Sequence, residues 1–184
     1  MSESKSSSEL SEVQREELNK KLLQAAESGD HEGVSRALGE GAEITCRDSN
    51  GDTGLHLSAR EGHSEVVLTY LTRGLDVNTR GRGQKSPLML AGEKGDLALL
   101  QLLLRHDADP DLKDDHGNTV MMLAAEGNFP DIIAELLSKG ADNSIVDNAG
   151  ETAVQKAQNS KNPDVEKVFT AWRDKENLNE KMMN

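Results

Sequence analysis

The chain has 184 residues, with 33 Asp and Glu against 21 Lys and Arg and a net charge of −12. Aromatics are only 2% of it (one Trp, one Tyr and two Phe), so any core must be filled by Leu, Val, Ile, Ala and Met. The longest apolar run, Leu97 to Leu104, is broken by Gln101 and is far shorter than the roughly 20 residues of a membrane span. The opening MSESKSSSELSE lacks the apolar region of a secretory signal. A lone cysteine, Cys46, makes neither an internal disulfide nor a CxxC zinc site. The acidic balance argues against general nucleic-acid binding, which needs a basic footprint. Together these exclusions point to a soluble protein of a reducing compartment. The expected setting is the cytoplasm, or cytoplasm and nucleus both, since no compact Lys/Arg cluster separates them.

Residues 1–10 are Ser-rich and acidic and are expected to be disordered. Ser11 and Gln14 then form a capping box for a helix running to about Ser28, with Leu18, Leu22, Ala25 and Ala26 inward and Glu16, Glu17, Lys20 and Lys21 toward water. From there the chain repeats with a period of 33. Thr53, Ser86, Thr119 and Thr152 are in register; so are Gly29, Gly62 and Gly95, with Asn128 next, and Gly41, Gly74 and Gly140, with Asp107 between. Asn keeps the left-handed backbone that Gly allows, and Asp107 is a weaker but workable substitute.

Within residues 52–84, Thr53 is placed as an N-cap, Leu55, Leu57 and Ala59 follow in a short helix, and Gly62 ends it. A second helix carries Val66, Val67, Tyr70 and Leu71, Gly74 terminates it, and LDVNTRGRGQ turns into the next unit. Two such helices cannot bury their apolar faces alone, but stacked units can. At the far end Asn162 and Pro163 read as N-cap and first helical residue, and Val165, Val168, Phe169 and Trp172 as an apolar stripe that packs on the fourth repeat.

These motifs resemble the ankyrin-repeat family. The first family motif stands here as TGLH (53–56), SPLM (86–89), TVMM (119–122) and TAVQ (152–155). The second stands as GDHEGV (29–34), GHSEVV (62–67), GDLALL (95–100) and NFPDII (128–133), and the third as GAEIT (41–45), GLDVN (74–78), DADPD (107–111) and GADNS (140–144). The resemblance implies an all-α solenoid of paired antiparallel helices joined by β-hairpin-like turns, about five repeats including two caps. The repeat domain is expected over 11–173, with repeats at about 18–51, 52–84, 85–117, 118–150 and 151–173, and 174–184 as a polar tail or helix extension. One unit keeps the motif's His (His56) and one its Pro (Pro87). Gln84 stands where the other hairpins have Gly51, Gly117 and Gly150, which predicts a different tip.

No catalytic constellation is visible. The stretch from His31 reads HEGVS rather than HExxH, and GRGQKS lacks the ending of a phosphate loop. His56 and His63 fit structural positions, and nothing marks Cys46 as activated. No cofactor or metal is expected, and the chain is read as a non-enzyme.

What the resemblance offers instead is a face of hairpin tips and first helices that stacking leaves free. The register places Arg47, Asn50, Asp52, Arg60, Arg80, Arg82, Lys85, Lys94, Lys113, Asp115 and His116 there. Between Arg73 and Lys85 four basic residues and one acid give +3 in a chain of −12. That island, centred on Arg80, Arg82 and Lys85, suits an acidic or phosphorylated segment of another protein, because guanidinium forks match carboxylate and phosphate oxygens. The expected function is an adaptor or stoichiometric regulator, monomeric because both ends are polar. The alternative is nucleic-acid or anionic-ligand binding through TRGRGQK, which the missing aromatic platforms argue against.

Overall fold

The computed structural model describes residues 11–161 and 163–183. The expected disorder of 1–10 and the N-cap role of Asn162 therefore lie outside the described residues. Ten α-helices follow in pairs: α1 Glu12–Ser28 and α2 His31–Gly39; α3 Gly54–Glu61 and α4 Ser64–Thr72; α5 Pro87–Lys94 and α6 Leu97–Arg105; α7 Val120–Glu126 and α8 Pro130–Ser138; α9 Ala153–Asn159 and α10 Pro163–Met183. First helices pack in the series α1, α3, α5, α7, α9, and second helices stack behind them, with α10 seated on both α8 and α9. This is a solenoid of five helix pairs.

The local chemistry of each start and stop is repeated. Ser11 accepts from the Gln14 N–H while its own N–H donates to Gln14 Oε1. The Ser86 Oγ accepts from the Met89 N–H and the Thr152 Oγ1 from the Gln155 N–H. Left-handed residues sit between paired helices at Gly29, Gly62, Gly95 and Asn128. Asn128 and Asp107, at φ 59° and 63°, hold the conformation that Gly holds elsewhere in the register. At Gly95 space is a second reason for glycine, since a Cβ there would overlap the Phe129 ring.

One apolar cluster runs the whole length, from Leu22 and Val34 through Leu88, Leu100 and Ile133 to Val165 and Phe169. The final stripe packs as its spacing predicts: Val165 and Phe169 are buried and Val168 and Trp172 half-buried. The helical backbone continues through 174–183, so this stretch is helix extension rather than irregular tail.

One core position breaks the repeat. Position 54 is Gly, where the later units carry Pro87, Val120 and Ala153, and position 70 is Tyr, where they carry Leu103 and Leu136. Tyr70 is wholly buried, its hydroxyl has no partner, and a Cβ on Gly54 would overlap it. Burial pushes the phenol pKa up. Gly54 is the space that the larger ring needs. Gly54→Ala should therefore cost about 1–3 kcal/mol through overpacking, read by urea unfolding. In a Tyr70→Leu background the same change should cost little, and equal losses in both backgrounds would refute the size compensation.

Candidate functional site

Four hairpins connect the repeats, over residues 47–53, 80–86, 113–119 and 146–152. Each is closed by one repeated backbone bond: Asp48 N–H to Asp52 O, Gly81 to Lys85, Asp114 to Asn118 and Asp147 to Glu151, at 2.9–3.0 Å. In three of them the first Asp also folds the tip. Asp48 Oδ1 accepts from the N–H groups of Asn50 and Asp52, Asp114 from His116 and Asn118, and Asp147 from Ala149 and Glu151. The second hairpin has Gly81 instead of Asp. Asp52 of the preceding repeat, 1% exposed, holds this tip at a different point: it accepts the Arg82 N–H at 2.7 Å on one oxygen and the Arg60 guanidinium on the other. A Cβ at Gly81 would overlap Asp52 and crowd the His56 ring. Gly83 and Gln84 take left-handed backbone, at φ 68° and 57°, so this tip is shaped differently from the others.

The cations chosen from sequence, Lys94 apart, divide into three groups. Arg47, Arg80 and Lys113, spaced by 33, form a ladder. Arg47 Nη1 donates to Arg80 O at 2.7 Å, Arg80 Nη1 to Lys113 O at 2.7 Å and Lys113 Nζ to Val146 O at 2.8 Å. Each arginine also reaches a carbonyl of its own hairpin, Gly51 O or Gln84 O. The second group is ion-paired: Arg60 with Asp52, and Lys85 with both oxygens of Glu93 at 2.7 and 2.8 Å. Lys94, exposed, donates to Arg60 O at 2.9 Å. The third group is free: the exposed side chain of Arg82 has no partner among the described residues. Asn50 bonds within its own tip, to Asp48. The Asp115 and His116 side chains are exposed and without a partner among the described residues, while their backbones brace neighbouring hairpins through Asp115 N–H to Gly83 O and Asn148 N–H to His116 O.

His56 lies under this face. Thr53 N–H donates to its Nδ1 at 3.2 Å, so Nε2–H donates to Thr79 O at 3.1 Å. Burial holds its pKa below the ordinary value, opposed by Asp52. His63 covers the Gly29 turn and contacts Glu27 O at 3.1 Å. Cys46 is half-buried, with its thiol pushed up to about 11 by burial and by Glu43, the opposite of an activated nucleophile. Among the described residues no group of three or more His, Cys, Asp or Glu is placed to hold a metal ion, and no helix is long and apolar enough to cross a membrane.

Sequence reasoning missed Lys156. The concave face carries a row of nearly buried leucines, Leu57, Leu90 and Leu123, and Lys156 is the next member of that row. Its ammonium bridges Asp147 and Glu126, each at 2.8 Å. The Lys156 hydrogen bond, helped by the N–H groups of Glu151 and Ala149, holds Asp147 down at about 2. The break in a Leu row was the available signal.

The profile of ankyrin repeats (three copies) matches residues 22–114 and again 88–179. With the stacked helix pairs and their hairpins, this places the chain in the ankyrin-repeat family. The chain is similar to ankyrin repeat protein RF_p14 of Rickettsia felis, at 47% identity over 53 residues (29% of this chain, 84% of that protein). It is also similar to RF_pd14 of the same organism, at 48% over 50 residues (27% and 76%). Ankyrin repeats are in general protein–protein interaction modules and typically not enzymes.

Two acid effects follow from the depressed pKa values. His56 favours its neutral form when folded, so its contribution is complete above its unfolded value near 6.5 and is lost as pH falls below that. Asp147 favours its charged form, so its contribution is complete above 3.8 and is lost on approach to 2. Urea midpoints measured against pH should fall in these two windows. Lys156→Met should cost about 1–3 kcal/mol at neutral pH by leaving Asp147 without its ammonium and should flatten the lower window. A lower window unaltered in that variant would show that the Lys156 pair does not shape acid stability.

Proposed function

We propose that the protein is a non-enzymatic, monomeric adaptor or stoichiometric regulator that grips an acidic or phosphorylated segment of a partner protein across its second and third hairpins. The observation that carries this reading is the state of the cations there. A cation bonded to neutral carbonyls keeps its full charge, so Arg47, Arg80 and Lys113 project positive potential although they donate to carbonyls. Arg60 and Lys85 are compensated by Asp52 and Glu93. Arg82 is charged, exposed and uncommitted. Its tip is fixed by Asp52 below, by Asp115 N–H on Gly83 O beside it, and by the Arg80 guanidinium on Gln84 O.

A side chain presented by a braced loop loses little freedom on binding, which favours it as an anchor. Arg82 makes the direct contact, with Lys94, Asp115 and His116 at the rim. Arg47, Arg80 and Lys113 act through their field and through the rigidity they give the hairpins. A cytoplasmic or nuclear setting fits a lone, half-buried thiol that is not paired.

The test is affinity capture from cell extract at two salt concentrations with the wild-type chain and with Arg82→Glu, which disturbs no internal bond of that side chain. The bound partner should be lost with Arg82→Glu and weakened by salt. Arg80→Glu should also lower the unfolding midpoint, because it removes two carbonyl contacts. A partner retained equally by wild type and Arg82→Glu would refute this surface.

A further inference from the structure

The ladder of cations has a direction and an open end. Every rung runs from a side chain to the carbonyl of the next hairpin toward the C-terminus: 47 to 80, 80 to 113 and 113 to 146. At the C-terminal end it stops on Val146, beyond which no further hairpin needs a cation. At the N-terminal end the pattern calls for a cation at position 14 to serve Arg47 O. Position 14 is Gln, and it lies in the first turn of α1 with its side chain closing the Ser11 cap. Among the described residues no hairpin precedes the first one. Arg47 O is the one carbonyl of its register without a donor among the described residues.

Beside that carbonyl lies the space the missing hairpin would fill. The turn that leads into the first hairpin leans on α1 instead, through Glu43 N–H to Asn19 Oδ1 at 2.7 Å. Between them is a groove of about 900 Å³ on the Arg47 and Asp48 side. Its apolar part is Leu23, Cys46 and the edge of Leu57. Its charged rim has four acids, Glu16, Glu27, Glu43 and Asp48, against Lys20 and Arg47. Arg47 points its guanidinium onward to the next hairpin, and Glu43 is 3.6 Å from Arg15. Glu16 and Glu27 have no side-chain partner among the described residues.

We propose that this groove takes an extended segment of a partner protein carrying an arginine beside an aliphatic residue, so that the partner supplies the absent first rung. The aliphatic side chain covers Leu23 and Leu57. The guanidinium donates to Arg47 O, as Arg47 does to Arg80 O, and lies among the acids of the rim. Arginine suits the position because its fork can serve a carbonyl and a carboxylate together. This site is opposite in sign to the Arg82 surface and does not depend on it.

The experiment is an amide-shift titration of the isotope-labelled full chain with N-acetyl-Leu-Arg-amide. Weak binding, on the order of millimolar, should shift the Asp48 amide, whose peptide unit contains the Arg47 carbonyl, together with Asn19 and Leu23, and salt should weaken it. The uncharged analogue N-acetyl-Leu-citrulline-amide should bind about tenfold more weakly, the expected size for a lost charge-assisted hydrogen bond. Glu16→Gln with Glu27→Gln should weaken the arginine dipeptide several-fold and, since neither side chain has an internal partner, leave the thermal midpoint in place. Arg82→Glu should leave the groove shifts unchanged. Shifts absent from the groove, equal binding of citrulline, indifference to the double Gln variant, or loss of the groove shifts in Arg82→Glu would each overturn the proposal. None of these outcomes bears on whether Arg82 captures a partner.

Discussion

A helix of eight residues paired with one of nine has an apolar stripe to bury and nothing within itself to bury it against, and helices this short do not persist alone in water. The same is true of the hairpins: a single repeated backbone bond closes each tip, and the tip then rests on its neighbour through a carbonyl and a cation. Both layers of this molecule are therefore held from one unit to the next, and stability is close to a sum of adjacent contacts. Substitutions at one interface act mainly there. The Tyr70 hydroxyl and Gly54 show the scale of the adjustment, an exchange of size confined to one helix pair while the period continues on either side.

Nearest-neighbour support also organises charge. At three of the four hairpins, the residue entering the first helix faces the residue eight positions on. Asp52 pairs with Arg60, Lys85 with Glu93, and Glu151 with Asn159. The geometry is kept while the polarity reverses and then gives way to a carboxylate on a neutral amide. The fourth place breaks the series: Glu126 turns to Lys156, and the Asn118 side-chain oxygen is left buried without a partner. A concave face that neutralises itself in this way leaves few side chains to act outward, and the exceptions acquire meaning because they are few.

Much of the architecture was legible in the sequence. The 33-residue period, the left-handed Gly, Asn and Asp positions, the Ser11 cap and the final apolar stripe all follow from local rules that tertiary context only reinforces. The site was less legible. Arg47, Arg80 and Lys113 were read as surface cations facing a partner, whereas the structure occupies their donors with backbone carbonyls in the next unit. Composition and helical spacing carry no information about a side chain that reaches a main-chain atom 33 residues away. Asp52 was read as an exposed tip residue, yet it is buried, with one oxygen on the Arg82 N–H of the following hairpin and the other on Arg60.

The period itself separates these cases. A residue type that recurs at each repeat meets a need every repeat has, as the cations at 47, 80 and 113 brace hairpin against hairpin. A residue whose register partners differ is released from that need. Arg82 shares its position with Ser49, Asp115 and Asn148, and it is the cation without an internal partner on this face. By the same logic, the ends of a ladder are where recurrence must fail. At the C-terminal end Val146, Lys156 and a 21-residue helix complete the edge. At the other, α1 stands beside the first hairpin, and Arg47, whose carbonyl has no donor among the described residues, lines an acidic groove. The two ends of the described stack are therefore not equivalent surfaces even though the repeats between them nearly are.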